Sequence, residues 1–134
     1  MEKYHFIEKF EVNELRKLNN NISLIYRNYS KPKDIKTIIR IKIFCKRKGI
    51  KFFLSNEIKL AFKLNTDGVY LPSFNKSLKV NLYNTKNKFK LIGSAHNLEE
   101  IRCKEKQNVD ELFISSLFKN KETYLGLHRF KILS

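Results

Sequence analysis

The feature that most constrains this chain is an alternation. Short runs of strand formers give way to segments with helical spacing, about six times over, at intervals of about 20 residues. Tyr4–Ile7, Ile22–Tyr26, Ile50–Leu54, Val69–Leu71, Phe89–Ile92 and Leu112–Ile114 read as strands, rich in β-branched and aromatic residues. Between them, Val12–Leu18 reads as a short helix. Pro32 opens a long helix, where its missing N–H costs nothing. Ile35, Ile38, Ile39 and Ile43 sit on it at helical spacing, and Gly49 suits its C-terminus. Ser55 or Asn56 can cap a helix carrying Ile58, Ala61 and Leu64. Residues 76–84 read as a weak helix. Asn97-Leu-Glu-Glu100 starts another in the manner of a capping box, continuing through Ile101 and Cys103. A polar loop, Ser115–Thr123, and a short final segment complete the chain.

Alternation of this kind implies a parallel sheet with helical crossovers. Units this short favour a barrel over a doubly wound sheet. A closed (β/α)₈ barrel needs eight units and about 200 residues or more. The expectation is therefore an α/β fold of the TIM-barrel type, an incomplete barrel of about six βα units forming one domain over residues 1–134. An open sheet of six strands exposes edges, which a second copy in a homo-dimer could cover. Either a fragment of a longer product or a shortened relative would give this pattern. No internal sequence repeat is visible.

Composition narrows the function classes. Apolar residues make up 42%, enough for a packed core. No apolar run approaches the roughly 18 residues of a membrane span. The start, Met1-Glu2-Lys3-Tyr4-His5, lacks the apolar core of a signal peptide, so a cytoplasmic protein with no membrane partner is expected. Cys45 and Cys103 lie far apart and read as reduced thiols. His5, His96 and His128 show no zinc-ligand spacing. The net charge of +15 raises nucleic acid as a partner. However, the excess is carried mostly by Lys rather than by base-reading Arg. Lys, Asn and Ile are enriched together, as AT-rich codons would produce. A basic nucleic-acid-binding protein is therefore only an alternative reading.

Five stretches then carry a resemblance: Leu60-Ala61 leading to Asp67-Gly-Val-Tyr-Leu71, Ile92-Gly-Ser-Ala-His-Asn-Leu-Glu-Glu100, Asp110-Glu-Leu-Phe-Ile-Ser-Ser-Leu-Phe118, and upstream Ile25-Tyr-Arg-Asn28 and Cys45–Asn56. In order and interval they resemble the thiamine phosphate synthase family, with its TenI-like thiazole tautomerase branch. There the matching motifs read GADGVHLG, GVSxHNLEEA, DYIGxGPVF, QLREK and CrkyGvplIIND. The match covers about residues 4 to 127.

The resemblance implies a transferase of thiamine biosynthesis that joins a pyrimidine pyrophosphate to a thiazole phosphate with Mg²⁺, or an isomerase acting on the thiazole. It places Arg27 on the family's pyrophosphate arginine, Ser94 near the substrate phosphate and His96 on the proton-transfer residue of the tautomerase branch. Lys119 and Lys121 fall in the family's PTxTK loop and keep its positive charge. Gln and Lys flanking the family's arginine are here Ile25 and Tyr29. The two metal-holding Asp fall on Asn56 and Asn75, where they would remain candidate polar contacts to substrate. Mg²⁺ favours carboxylates and phosphates, so both replacements argue against the usual metal site and against full synthase activity. The family's Gly-rich phosphate loops after strands seven and eight lie beyond this pattern. A phosphorylated thiazole or pyrimidine intermediate is thus the expected ligand, with a non-catalytic phospholigand- or partner-binding relative as the alternative.

Overall fold

The computed structural model describes residues 3–29, 34–82, 89–114 and 128–131. The chain divides into two compact units, Met1–Gly68 and Val69–Ser134.

In the first unit three strands alternate with three helices: β1 (Lys3–Ile7), α1 (Val12–Leu15), β2 (Ile22–Tyr26), α2 (Ile35–Lys48), β3 (Phe52–Ser55) and α3 (Ile58–Lys63). β1 pairs with β2 and β2 with β3, both in parallel. Their registers set Ile7 beside Tyr26 and Tyr26 beside Leu54, so the C-terminal ends of the three strands are aligned. Every residue of β3 and all but the first of β2 are buried, as expected for a parallel sheet covered on both faces. Leu24, Ile25, Phe52 and Phe53 form the sheet's share of this core, and Ile38, Ile41 and Cys45 the share of α2.

The long helix begins at Ile35 rather than at Pro32, which lies outside the described residues. Asp34 caps it, its carboxylate accepting the Thr37 N–H at 3.1 Å. At the other end Gly49 takes φ 75° and Ile50 N–H closes onto Cys45 O at 2.8 Å, a Schellman termination. The cap expected from Ser55 or Asn56 does not form. Ser55 is the last residue of β3, Asn56 turns the chain at φ 65°, and α3 starts after Glu57 with no side-chain cap.

In the second unit β4 (Gly68–Leu71), which starts at the boundary, is followed by a 3₁₀ turn over Leu78–Leu82, then β5 (Lys90–Ala95), α4 (Leu98–Lys106) and β6 (Glu111–Ile114). β5 and β6 pair in parallel, from Ile92 beside Glu111 to Ala95 beside Ile114. Asn97 caps α4 by accepting the Glu100 N–H at 2.9 Å. The final segment is a strand, β7 (His128–Lys131), antiparallel to β6 with Glu111 beside Lys131. The chain itself therefore covers that edge of β6, without a second copy.

The repeat strands, alternating with helical segments, are those of the expected fold class, an α/β chain of incomplete (β/α)-barrel type. A short structural repeat also emerges. Asn65-Thr-Asp67 and Asn108-Val-Asp110 each follow a helix, and each Asn takes a positive φ, 54° and 60°. Each Asp then accepts an N–H near the start of a neighbouring strand at 2.8 Å, Asp67 from Phe52 and Asp110 from Leu91.

A buried lysine organises the second unit. Lys104 and Gln107 on and beside α4 are fully buried. Lys104 Nζ donates to Asn75 O at 2.8 Å and to Gln107 Oε1 at 2.9 Å. Gln107 Nε2 in turn donates to the carbonyls of Asn75 and Ser77, both at 2.9 Å. Polar groups this buried need such partners, and here they anchor the loop that follows β4.

Candidate functional site

In parallel (β/α) folds the chemistry is built beyond the C-terminal ends of the strands. In the first unit this end carries a cavity of about 250 Å³ lined by Glu8, Lys9, Arg27, Asn28 and Tyr29. Arg27 is the first residue after β2, and its N–H donates to Ile7 O at 2.8 Å, extending the β1–β2 ladder by one bond. The guanidinium lies 4.4 Å from the centroid of the Phe6 ring. That contact holds the planar cation without occupying its fork of N–H donors in a carboxylate pair. Asn28 Nδ2 donates to Glu8 O at 3.1 Å, tying the loops after β1 and β2 together. Tyr29 and Ser55 share a hydroxyl hydrogen bond of 2.9 Å, so the position of the family's lysine is linked to the end of β3. Asn56 follows, half-buried, at the position of the first metal carboxylate.

Two cations, Lys9 and Arg27, therefore share one cavity with a single carboxylate, Glu8. Such a set suits a phosphate group through charge-assisted hydrogen bonds. Sequence reasoning singled out Arg27 but missed Lys9. A usable signal was position: Lys9 stands two residues beyond β1, as Arg27 stands one beyond β2.

In the second unit Ser94, the penultimate residue of β5, is buried. Tyr70 Oη donates to Ser94 Oγ at 2.8 Å, and the Tyr70 ring tilts against Phe113 at 6.5 Å between centroids. Tyr70 occupies the histidine position of the GADGVHLG motif, and it too was missed. Its signal was a phenol in the middle of an apolar strand, where the hydroxyl needs a buried partner.

His96 is exposed just beyond β5. Glu100 Oε1 accepts its backbone N–H at 2.6 Å and lies 3.1 Å from its Nδ1. With Nδ1 carrying the proton toward this carboxylate, Nε2 is left as the basic nitrogen. Glu100 thus turns back to His96 rather than to the cap residue Asn97, so the capping box is shifted by one position.

Asn75, at the second metal position, lies in the loop after β4. Its side-chain oxygen accepts Ser77 N–H at 3.0 Å and approaches Gln107 Nε2 at 3.4 Å. Its backbone oxygen takes the Lys104 ammonium. An ammonium group and a neutral, already bonded amide do not fit Mg²⁺, which favours carboxylate and phosphate oxygens. Among the described residues no three His, Cys, Asp or Glu side chains converge on a point. Lys119 and Lys121 lie outside the described residues.

Both cysteines are free thiols. Burial, aided by the nearby Asp67 carboxylate, pushes the Cys45 thiol up to about 12, which leaves it an inert part of the core. No helix among the described residues is long and apolar enough to cross a membrane.

The family described as thiamine monophosphate synthase matches residues 15–131 of this chain. No curated protein matches it.

Proposed function

Because the chain belongs to the thiamine monophosphate synthase (TMP-TENI) family, we propose that it serves thiamine biosynthesis by binding a phosphorylated thiazole or pyrimidine intermediate at the strand ends that carry Arg27. Residues 1–134 act in this reading as one synthase-like domain, in the cytoplasm where those intermediates are made. The observation that carries it is the cavity shared by Lys9 and Arg27. Arg27 presents a fork of donors, stacked on Phe6, at the position the family uses for pyrophosphate. Asn56 is the further polar contact carried over from the family in this unit; Ser94 and Asn75, with Lys119 and Lys121, are those the family resemblance carries over in the second unit. Binding is proposed to proceed without the family's Mg²⁺ site, since both of its carboxylates are replaced by amides. That replacement removes the carboxylates that would hold the metal beside a departing pyrophosphate, so the synthase reaction is not assigned.

Calorimetric titration of thiazole phosphate and of the pyrimidine pyrophosphate, each against its dephosphorylated alcohol, tests this. The proposal expects the phosphorylated ligand of at least one pair to bind and its alcohol to bind at least tenfold more weakly, as loss of charge-assisted bonds implies. Equal affinity within both pairs, or no binding at all, would refute it.

A second reading rests on the contact between His96 and Glu100. A carboxylate-oriented imidazole can move a proton, the step needed for isomerisation of a thiazole. Isomerase turnover abolished in both His96→Ala and His96→Gln would support it. Turnover that persists in those variants would exclude it.

A further inference from the structure

The helix α2 presents a second surface unrelated to the phosphate cavity. Its fourteen residues, Ile35–Lys48, include Lys36, Arg40, Lys42, Lys46, Arg47 and Lys48, and no Asp or Glu. The inward face is complete with Ile38, Ile41 and Cys45, all buried. Three further isoleucines, Ile35, Ile39 and Ile43, point away from that face and stay 46%, 38% and 45% exposed. They stand one turn apart, in a rail spanning about 80° of the helix circumference. By the same spacing, Lys36, Arg40 and Arg47 line one side of the rail, while Lys42 flanks the other and Lys46 falls within its arc beyond Ile43. Lys48 is anchored elsewhere, on the carbonyls of Leu15 and Arg16.

We propose that this face of α2 is a docking surface for an acidic protein partner, one that projects apolar side chains between carboxylates. Charge complementarity selects that occupant. A second copy of the chain would set five cations against five like cations, on a molecule already at +15. A bilayer surface is matched by a broad apolar face that carries Trp, Phe or Leu. Here the apolar rail is three half-exposed isoleucines, and no aromatic residue lies on the exposed arc. Nucleic acid would use the cations and leave the isoleucine rail without a role. A partner surface with an apolar centre and an acidic rim uses both, in the usual anatomy of a protein interface.

The test uses the full chain and a defined probe: a helical peptide with leucines one turn apart and glutamates on either side. A scrambled peptide of the same composition, vesicles of phosphatidylserine in phosphatidylcholine, and duplex DNA are run in parallel. The ordered peptide is expected to bind, with affinity falling about tenfold in Ile39→Ser and about tenfold in Arg40→Glu. Arg27→Ala should leave it unchanged. Circular dichroism confirms that each variant is folded, and Lys36→Glu replaces either one that is not. Equal binding of the scrambled peptide, or indifference to Ile39→Ser, would overturn the proposal. So would failure of the ordered peptide to bind, tighter binding to vesicles or DNA, or a dimer in sedimentation that Ile39→Ser dissolves.

Discussion

A single missing methyl group decides how the second unit packs. A Cβ on Gly93 would stand 2.7 Å from Lys104 Cδ and 3.1 Å from Val109 Cγ1. Lys104 cannot swing aside, because its ammonium is fixed between Asn75 O and Gln107 Oε1. Gly93→Ala is therefore expected to destabilise the chain by about 1–3 kcal/mol, measured by urea unfolding. Lys104→Ala in the same background should recover part of that loss. A glycine inside a strand is a legible sign of close approach. Its partner, eleven positions later on a helix, is not legible, because nothing in the sequence marks a lysine as buried. Burial holds the Lys104 ammonium below the usual 10.5. Between its lowered folded value and 10.5 the unfolded chain then binds more protons than the folded one, so this residue makes stability rise with pH across that window and level off above it. Subtracting the stability profile of Lys104→Met from that of the wild type should expose this rise. A flat difference would mean that the ammonium is solvated.

At the scale of elements, α2 shows what periodicity reveals and what it hides. The isoleucines announce a helix, and Gly49 its end. They do not announce which stripe faces the sheet, because Ile35, Ile39 and Ile43 repeat as regularly as Ile38, Ile41 and Cys45. The sheet selects the second set. Ile41→Ala should cost about 2–5 kcal/mol, as a large-to-small change in a closed core. Ile39→Ala should change stability by no more than about 0.5 kcal/mol. Chemical denaturation of the two variants separates them, and equal losses would place both residues in one core. The Asn-x-Asp turns show the converse case. Asn65 and Asn108 each bring the chain round in a left-handed conformation that Asn tolerates. Each following Asp then bonds a strand N–H. Both triplets are plain in the sequence, but only their shared geometry identifies them as a repeat. The terminal segment was the least legible element, since four residues carry too little pattern to declare themselves a strand.

At the scale of the whole molecule, the alternation alone defined the α/β class, and ordered motifs defined the family. The site was legible in part. The motif match names Arg27, Ser94 and His96 as candidates, whereas Lys9, Tyr70 and the bond from Tyr29 to Ser55 come into view only through the cavity and hydrogen bonds around them. Such contacts join residues from different strands, and no single motif contains both partners. The amides at Asn56 and Asn75 give a direct expectation about metal. Binding of the phosphorylated ligand should be unchanged when Mg²⁺ is removed with a chelator, and a loss of tenfold or more would restore a metal site to the account. The central claim is that Arg27 holds the phosphate of a thiamine precursor. Calorimetric titration of the phosphorylated thiazole and pyrimidine ligands into wild-type protein and Arg27→Ala tests it most directly. Binding to the wild type is expected to weaken by about 10- to 100-fold in the variant, the effect of losing a charged hydrogen-bond donor. Equal affinity of the two proteins would contradict it.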